Sequence, residues 1–500
     1  MPQTKLKATA VPNGQTQPED VAHRNSVTNH SPRRQFWWAI LALTIAAVIR
    51  LAAARRDLAI DEIWSLWFVR HVTRNFVQIF ALRHDNNHLL NTMILFGMGP
   101  NLAGICYRLP AVLASIGSVW LAGRIAIRQG GFPACVTAWV LVGSSYLLIL
   151  YGSEARGYSY VILFAYLSWF CLLRTETSGR WIDATAFAVS ACLGFLAHLT
   201  FLYCYAGFCV WTIWKWLRKP TWSLALAHVP PFAIAACLYL FFIRGMGIGG
   251  GPETSVISAI ISTLSIIAGG PQFGDGALVA ALLMTLLLGF GFVRLWQKDK
   301  ATATCYVTII ILAPAAVLMM TGHSLIYPRY FLVPVAFALL LISHTIASWR
   351  HAGCIGRTGQ VAIIGAYLVG NLWWTARLLD HGRGDYSQAL AWIATQVQEG
   401  PATVSSDHDF RNGMIFEYYA ARLWSSGSPL RYVAQQSVPQ QGTDWLILHD
   451  FEGDPPFPEI VTDRAGNQYR LERTYRHHSL TGWNWWIYRR AKRINLPRKN

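Results

Sequence analysis

Charge is what this sequence has least of. Only 13% of its 500 residues are Asp, Glu, Lys or Arg, against 53% hydrophobic. An average soluble domain carries about 25% charge, so the shortage excludes an ordinary soluble enzyme and implies a polytopic membrane protein. Acids are scarcer than bases, 25 against 42, giving a net charge of +17. In a membrane chain such an excess is read as Lys and Arg in cytoplasmic loops, which orient the protein, and not as a nucleic-acid surface. The nine cysteines form no CxxC or Cys/His metal spacing, and none follows residue 380. A disulfide-stapled outer domain is thereby excluded.

What is present in quantity is apolar sequence and tryptophan, of which there are 22. Apolar runs occupy 36–54, 108–127, 132–152, 158–174, 182–199, 201–216, 225–243, 276–294, 302–320, 331–348 and 359–376. Several approach the ~20 residues a helix needs to cross hydrocarbon, so eleven spans are expected. Residues 1–35 read as a disordered cytoplasmic leader, and the first run as an uncleaved anchor. Basic residues then follow every even-numbered run: Arg124 and Arg128, Arg174 and Arg180, Lys215 to Lys219, Arg294 to Lys300, Arg350 and Arg357. The pattern predicts a cytoplasmic N-terminus and an extracytoplasmic tail.

With that topology the unusual ionisable residues share the outer face: Asp61, Glu62, His84, Asp85, His88, Glu154, Arg156, His198, His323 and Arg329. Such groups at membrane depth are costly and usually functional. The stretch 76–99 reads as helices lying in the outer interface. His84 and His88 stand i, i+4 and would share a helix face. With Asp85 they could contact a substrate, bind a divalent metal or simply pack; as a metal signal the spacing is weak. Trp64, Tyr151 and Tyr158 read as interfacial belt residues.

Five segments in order carry a resemblance: "DE" after the first run, "NNHLLNTMILFGMG", "YRLPAVLASIGSVWLAGRIA", "YGSEARGYSYVILF" and "YPRYFLVPVAFALLL". Together, over about 36–350, they resemble the polyprenyl-phosphate-sugar-dependent membrane glycosyltransferases. That group is glycosyltransferase family 39 and its relatives in the GT-C superclass, including protein O-mannosyltransferases and lipid A aminoarabinose transferases. The resemblance implies a catalytic acid in the first outer loop, Asp61 with Glu62 adjacent, and Asp61 is favoured. Arg156 and Arg329 are the candidates to hold the donor phosphate. Substrate contacts fall to His84, Asp85, His88, Glu154 and Tyr327. No cofactor is certain, and a divalent metal stays an open option with His84 and His88 as its candidates. Independently, glycosyl transfer needs a base for the acceptor hydroxyl. A carboxylate near a low-dielectric boundary is expected to have a raised pKa, and guanidinium matches phosphate.

After residue 380 the composition changes. "DYSQALAWIATQVQ" and "FRNGMIFEYYAARLW" read as helices, "ATVSSD" and "DWLILHD" as strands. "YRLERTYRHHSLTGWNWWIYRR" reads as a hairpin about Thr481 and Gly482. The expected architecture is mainly α: a leader 1–35, a transmembrane domain 36–376, and a small extracytoplasmic α/β domain 377–500. The expected function is transfer of a sugar, with inversion, from a polyprenyl-phosphate carrier to a lipid, glycan or protein acceptor at the cell (inner) membrane. No Walker pattern suggests a sugar-nucleotide donor. The competing reading is a transporter or lipid flippase, whose usual internal repeats are not visible here.

Overall fold

The computed structural model describes residues 32–247, 249, 254–321, 326–451 and 456–491. The expected leader up to residue 31, and His323, lie outside them. Helices α1 (Pro32–Ala54), α2 (Ile60–Trp67), α3 (Leu89–Met98), α4 (Gly104–Ser144), α5 (Tyr146–Gly152), α6 (Tyr158–Ser178), α7 (Trp181–Ala197) and α8 (Phe201–Arg218) build the first half. Then come α9 (Trp222–Ile243), α10 (Val256–Ala268), α11 (Asp275–Lys298), α12 (Lys300–Met320), α13 (Leu332–Ser348) and α14 (Gly353–His381). Among the described residues, eight helices are long and apolar enough to cross a membrane. One of them, α4, is two in one. Gly131 takes φ 73°, a conformation costly for any other residue, and bends the helix between the expected runs 108–127 and 132–152.

The outward faces explain the shortage of charge. Along α11, Leu278, Val279, Leu282, Leu283, Leu286, Phe290 and Val293 are all exposed. Apolar surface of this extent is covered in a soluble protein; here it suits hydrocarbon. α13 is the opposite case, buried almost throughout at the centre of the bundle. At one end of the bundle the basic residues gather. Lys298 donates to the Gln129 carbonyl at 2.5 Å, Lys215 pairs with Glu176 at 2.9 Å, and Arg174 pairs with Asp183 at 2.8 Å.

At the other end sits the tail. α14 runs on to His381, past the expected boundary at 376. Helices α15 (Tyr386–Thr395) and α16 (Met414–Leu423) pack on a six-stranded sheet of order β2-β1-β3-β6-β5-β4. Its strands are β1 (Ala402–Ser406), β2 (Leu430–Tyr432), β3 (Trp445–Asp450), β4 (Ile460–Thr462), β5 (Gln468–Tyr475) and β6 (Asn484–Arg490). β2, β1 and β3 are parallel; the rest pair antiparallel. The expected hairpin is β5–β6. The short strands β2 and β4 carry too few residues to show an alternation in sequence.

The hairpin loop is the bolt between the two domains. Tyr146 Oη donates to the Ser479 carbonyl at 2.7 Å, and Tyr151 Oη to that of Leu480 at 3.2 Å. Gly482 has φ 67°, and an added Cβ there would collide with the Arg383 carbonyl. On the opposite flank Asp57 accepts from the Ser387 amide at 2.7 Å.

Candidate active site

Asp61 and Glu62 occupy the first turn of α2, where acids complement unpaired helix N–H groups. Neighbours on a helix point about 100° apart, and the two carboxylates go separate ways. Glu62 turns inward. Arg108 donates to it from Nε at 2.7 Å and from Nη2 at 2.5 Å, and the amides of Ala155 and Ala59 at 2.8 and 2.9 Å. Both side chains of this pair are 0% exposed. Burial alone would raise the Glu62 pKa; the Arg108 guanidinium outweighs it and holds it low. With both oxygens doubly engaged, Glu62 joins α2, α4 and the turn before α6.

Asp61 turns outward. Its Oδ2 accepts from Arg156 Nη1 at 2.7 Å and from Arg329 Nη1 at 3.1 Å, and a quarter of the side chain is exposed. The expectation of a raised pKa is corrected here. Burial does push it up, but Arg156 and then Arg329 pull harder, and the net shift is downward.

Each arginine is held from several sides. Arg156 Nη2 donates to Asn86 Oδ1 at 3.0 Å, and its guanidinium lies 4.9 Å from the Tyr158 ring centre. Asn86 is itself fixed by donating to the Asp61 carbonyl at 2.9 Å and Ser65 Oγ at 3.2 Å. Arg329 sits 4.7 Å over the Tyr327 ring at the entrance to α13. The Nε of both arginines is buried without a hydrogen-bond partner, an expensive state that an incoming oxygen ligand relieves. The turn carrying Arg156 requires Gly157, because a Cβ there would strike the Ala197 carbonyl and the His88 ring.

Glu154 is engaged by the tail and not by the arginines that hold Asp61. It pairs with Arg383 at 3.1 Å and accepts from Thr481 at 3.3 Å, tying the bundle to the tail. Burial raises its pKa, with Arg383 opposing. The expected shared helix face of His84 and His88 does not exist, because 84–88 is a turn. His84 bridges to Gly247 and packs on Trp64, with Asp85 2.8 Å from its Nδ1. His88 instead faces inward, accepting from the Gly157 amide at 3.1 Å beside His198. Burial, reinforced by His198 and Arg156, lowers its pKa well below the histidine norm. The two histidines do not converge, so the residues do not fit a metal held between them. Tyr151 and Tyr158 are buried and are not belt residues: their rings pack on each other, with Tyr158 beneath Arg156 and Tyr151 bonded to the hairpin loop. Trp64 is half-buried against His84 and Phe410.

Two cavities meet at the arginines. One, of about 460 Å³, is walled by Phe195, Leu199, Leu202, Phe242 and Leu318 and ends on His88, His198, Arg156 and Arg329. The other, of about 430 Å³, runs from Asp61, Arg156 and Arg329 to Arg411, Phe451 and Trp483 of the C-terminal sheet domain. A long apolar chain with a charged end fits the first. A polar molecule entering beneath the C-terminal domain fits the second.

No family model and no curated protein matches this chain. Among solved structures it is similar to ArnT from Cupriavidus metallidurans in the apo state, with a TM-score of 0.49 and 13% identity over 91% of this chain and 98% of that one. It is also similar to the same protein bound to undecaprenyl phosphate, with a TM-score of 0.47 and 14% identity over 90% and 97%.

Sequence reasoning passed over Arg108, Arg383 and Arg411. Arg108 lies within "YRLP", and a lone charge at the head of an apolar run was the available signal. Nothing local marks the other two: Arg383 meets Glu154, 229 positions away, and Arg411 meets His449, 38 positions on.

Proposed function

We propose that this chain is a membrane glycosyltransferase that moves a sugar from a polyprenyl-phosphate carrier to a hydroxyl-bearing acceptor. The observation that carries the reading is one carboxylate, Asp61, clamped by two arginines where an apolar cavity and a polar one meet. The carrier lies in the apolar cavity with its phosphate on Arg156 and Arg329. The acceptor enters from the polar side.

The acceptor oxygen attacks the anomeric carbon and its proton goes to Asp61. The bond from that carbon to the phosphate oxygen breaks, and polyprenyl phosphate leaves. It departs as an anion and needs positive charge instead of a proton. A single displacement from the face opposite the phosphate inverts the anomeric centre.

The low pKa of Asp61 in the free protein gains a meaning here. While the arginines serve Asp61, it is a poor base. A donor phosphate competes for the same guanidiniums, and as their charge is shared the pKa of Asp61 rises toward what burial alone dictates. The base is thus strengthened when the sugar is in place.

The test is transfer by the purified protein in a bilayer, with a panel of polyprenyl-phosphate sugars and an envelope lipid and glycan extract, read by mass spectrometry. A glycosylated product that requires Asp61 supports the reading. Movement of an intact lipid or sugar across the bilayer with no new glycosidic bond overturns it in favour of a transporter.

A further inference from the structure

The parallel strands β1 and β3 lie side by side, and in such sheets ligands bind off the carboxyl ends of the strands. The segment after β1 supplies Asp407, Arg411 and Asn412, and β3 supplies His449 near its end. His449 Nδ1 lies 2.8 Å from Asp407 Oδ1, so Nδ1–H donates to the carboxylate. That leaves the lone pair on Nε2 to accept from Arg411 Nη1 at 3.1 Å. Asp407 is fixed in turn by Asn412 Nδ2 at 2.8 Å, and the Asn412 oxygen by the indole N–H groups of Trp483 and Trp485 at 3.0 and 2.8 Å. The Arg411 guanidinium rests 4.9 Å from the Phe451 ring centre and 5.9 Å from that of Trp483. Six side chains thus aim one arginine.

The target of that aim is the polar cavity, which Arg411 lines while Asp407 and His449 stand behind it. The cavity's other charges are spoken for. Asp61 is shared by Arg156 and Arg329, and Glu154 is taken by Arg383. Among the described residues no Asp or Glu forms an ion pair with Arg411. Burial lowers its pKa, with Asp407 and Tyr327 only partly opposing. A planar fork held rigid by one edge, with no carboxylate paired to it, is built to accept a two-oxygen anion.

We propose that Arg411, aimed by the Asp407–His449 pair and the Phe451 and Trp483 rings, binds an anionic group of the acceptor, a phosphate or a carboxylate. The inference rests on the polar cavity being the acceptor side. It assigns to the C-terminal domain the selection of an acidic acceptor over a neutral one.

The test is calorimetric titration of the full chain in nanodiscs of neutral lipid, with hexyl phosphate in one arm and hexanoate in the other. The expected result is two hexyl phosphate sites. Arg156→Ala with Arg329→Ala removes one; Arg411→Ala weakens the other by about tenfold or more, the scale of a charge-assisted hydrogen bond. Arg411→Lys restores part of it, and His449→Ala weakens it without touching the first site, which serves as the folding control. Hexanoate matching hexyl phosphate at the Arg411 site identifies a carboxylate-tolerant acceptor pocket; its failure there identifies phosphate. If the first site behaves and Arg411→Ala changes nothing, this inference falls alone. If Arg156 and Arg329 variants leave both sites intact, the donor assignment falls.

Discussion

Arg156 donates from Nη1 to Oδ2 of Asp61 across 2.7 Å, joining residues 95 positions apart in the chain. The same carboxylate oxygen is held by Arg329 at 3.1 Å. Three helix entrances, those of α2, α6 and α13, therefore converge on one negative charge.

If Asp61 is the base, Asp61→Asn keeps the side-chain shape and loses the proton acceptor. Transfer should fall by ~10²–10⁴, the usual cost of losing a general base. Donor affinity should hold or improve, because the arginines are released. Turnover under saturating donor and equilibrium donor binding separate the two effects. Activity within a few-fold of the parent would remove Asp61 from the role.

For the phosphate clamp, Ala at Arg156 or at Arg329 should weaken donor binding and slow transfer, and Lys should rescue only partly, since a point charge cannot reproduce the fork. The two losses should be non-additive, because both groups act on one phosphate. A double-mutant cycle on the donor dissociation constant checks this. Simple additivity would place the two arginines on different ligands.

The pH profile follows from the clamp. Asp61 is held below the carboxylate norm of 3.8 by two cations that outweigh burial. In the free protein it therefore stays ionised as pH falls past that norm, and the acid limb of kcat/KM due to Asp61 lies below it. Removing Arg329 subtracts a downward pull while burial remains, so in Arg329→Ala the limb should move to higher pH. A profile that shifts the other way, or stays fixed, would show that the limb belongs to another group.

Glu62 should behave as part of the frame. Glu62→Gln leaves Arg108 as a buried, unneutralised charge, a change that typically costs about 3–5 kcal/mol. The expected outcome is a lowered unfolding midpoint in detergent. The double variant Glu62→Gln with Arg108→Met should recover stability relative to Glu62→Gln. If Glu62→Gln is fully stable yet inactive, the catalytic role belongs to Glu62.

The orientation is open to a direct check. A reporter active only outside the cytoplasm should give signal when fused after Asn500 and none when fused after Arg128. The reverse pattern would put the Asp61 cluster on the cytoplasmic side and exclude a donor from the outer leaflet.

The sequence by itself determined that this is a helical membrane protein, because hydrocarbon imposes length and apolarity on each crossing helix and both are visible locally. It also determined the small α/β tail, where the periods of helix and strand are legible over a few residues, and it put Asp61, Arg156 and Arg329 on one candidate list. Tertiary structure decided the rest. Whether Asp61 or Glu62 faces a cavity depends on the rotation of α2, which Arg108 sets from 46 positions away. The fate of His84 and His88 depended on a turn where local spacing suggested a helix. The sign of the Asp61 shift depended on counting two distant guanidiniums against burial. Arg411 could be seen only once two strands and a hairpin loop had brought Asp407, His449 and Trp483 around it. Charge interactions act through space with no regard for sequence separation, so a site built from ion pairs is the part of a fold that a linear reading resolves least.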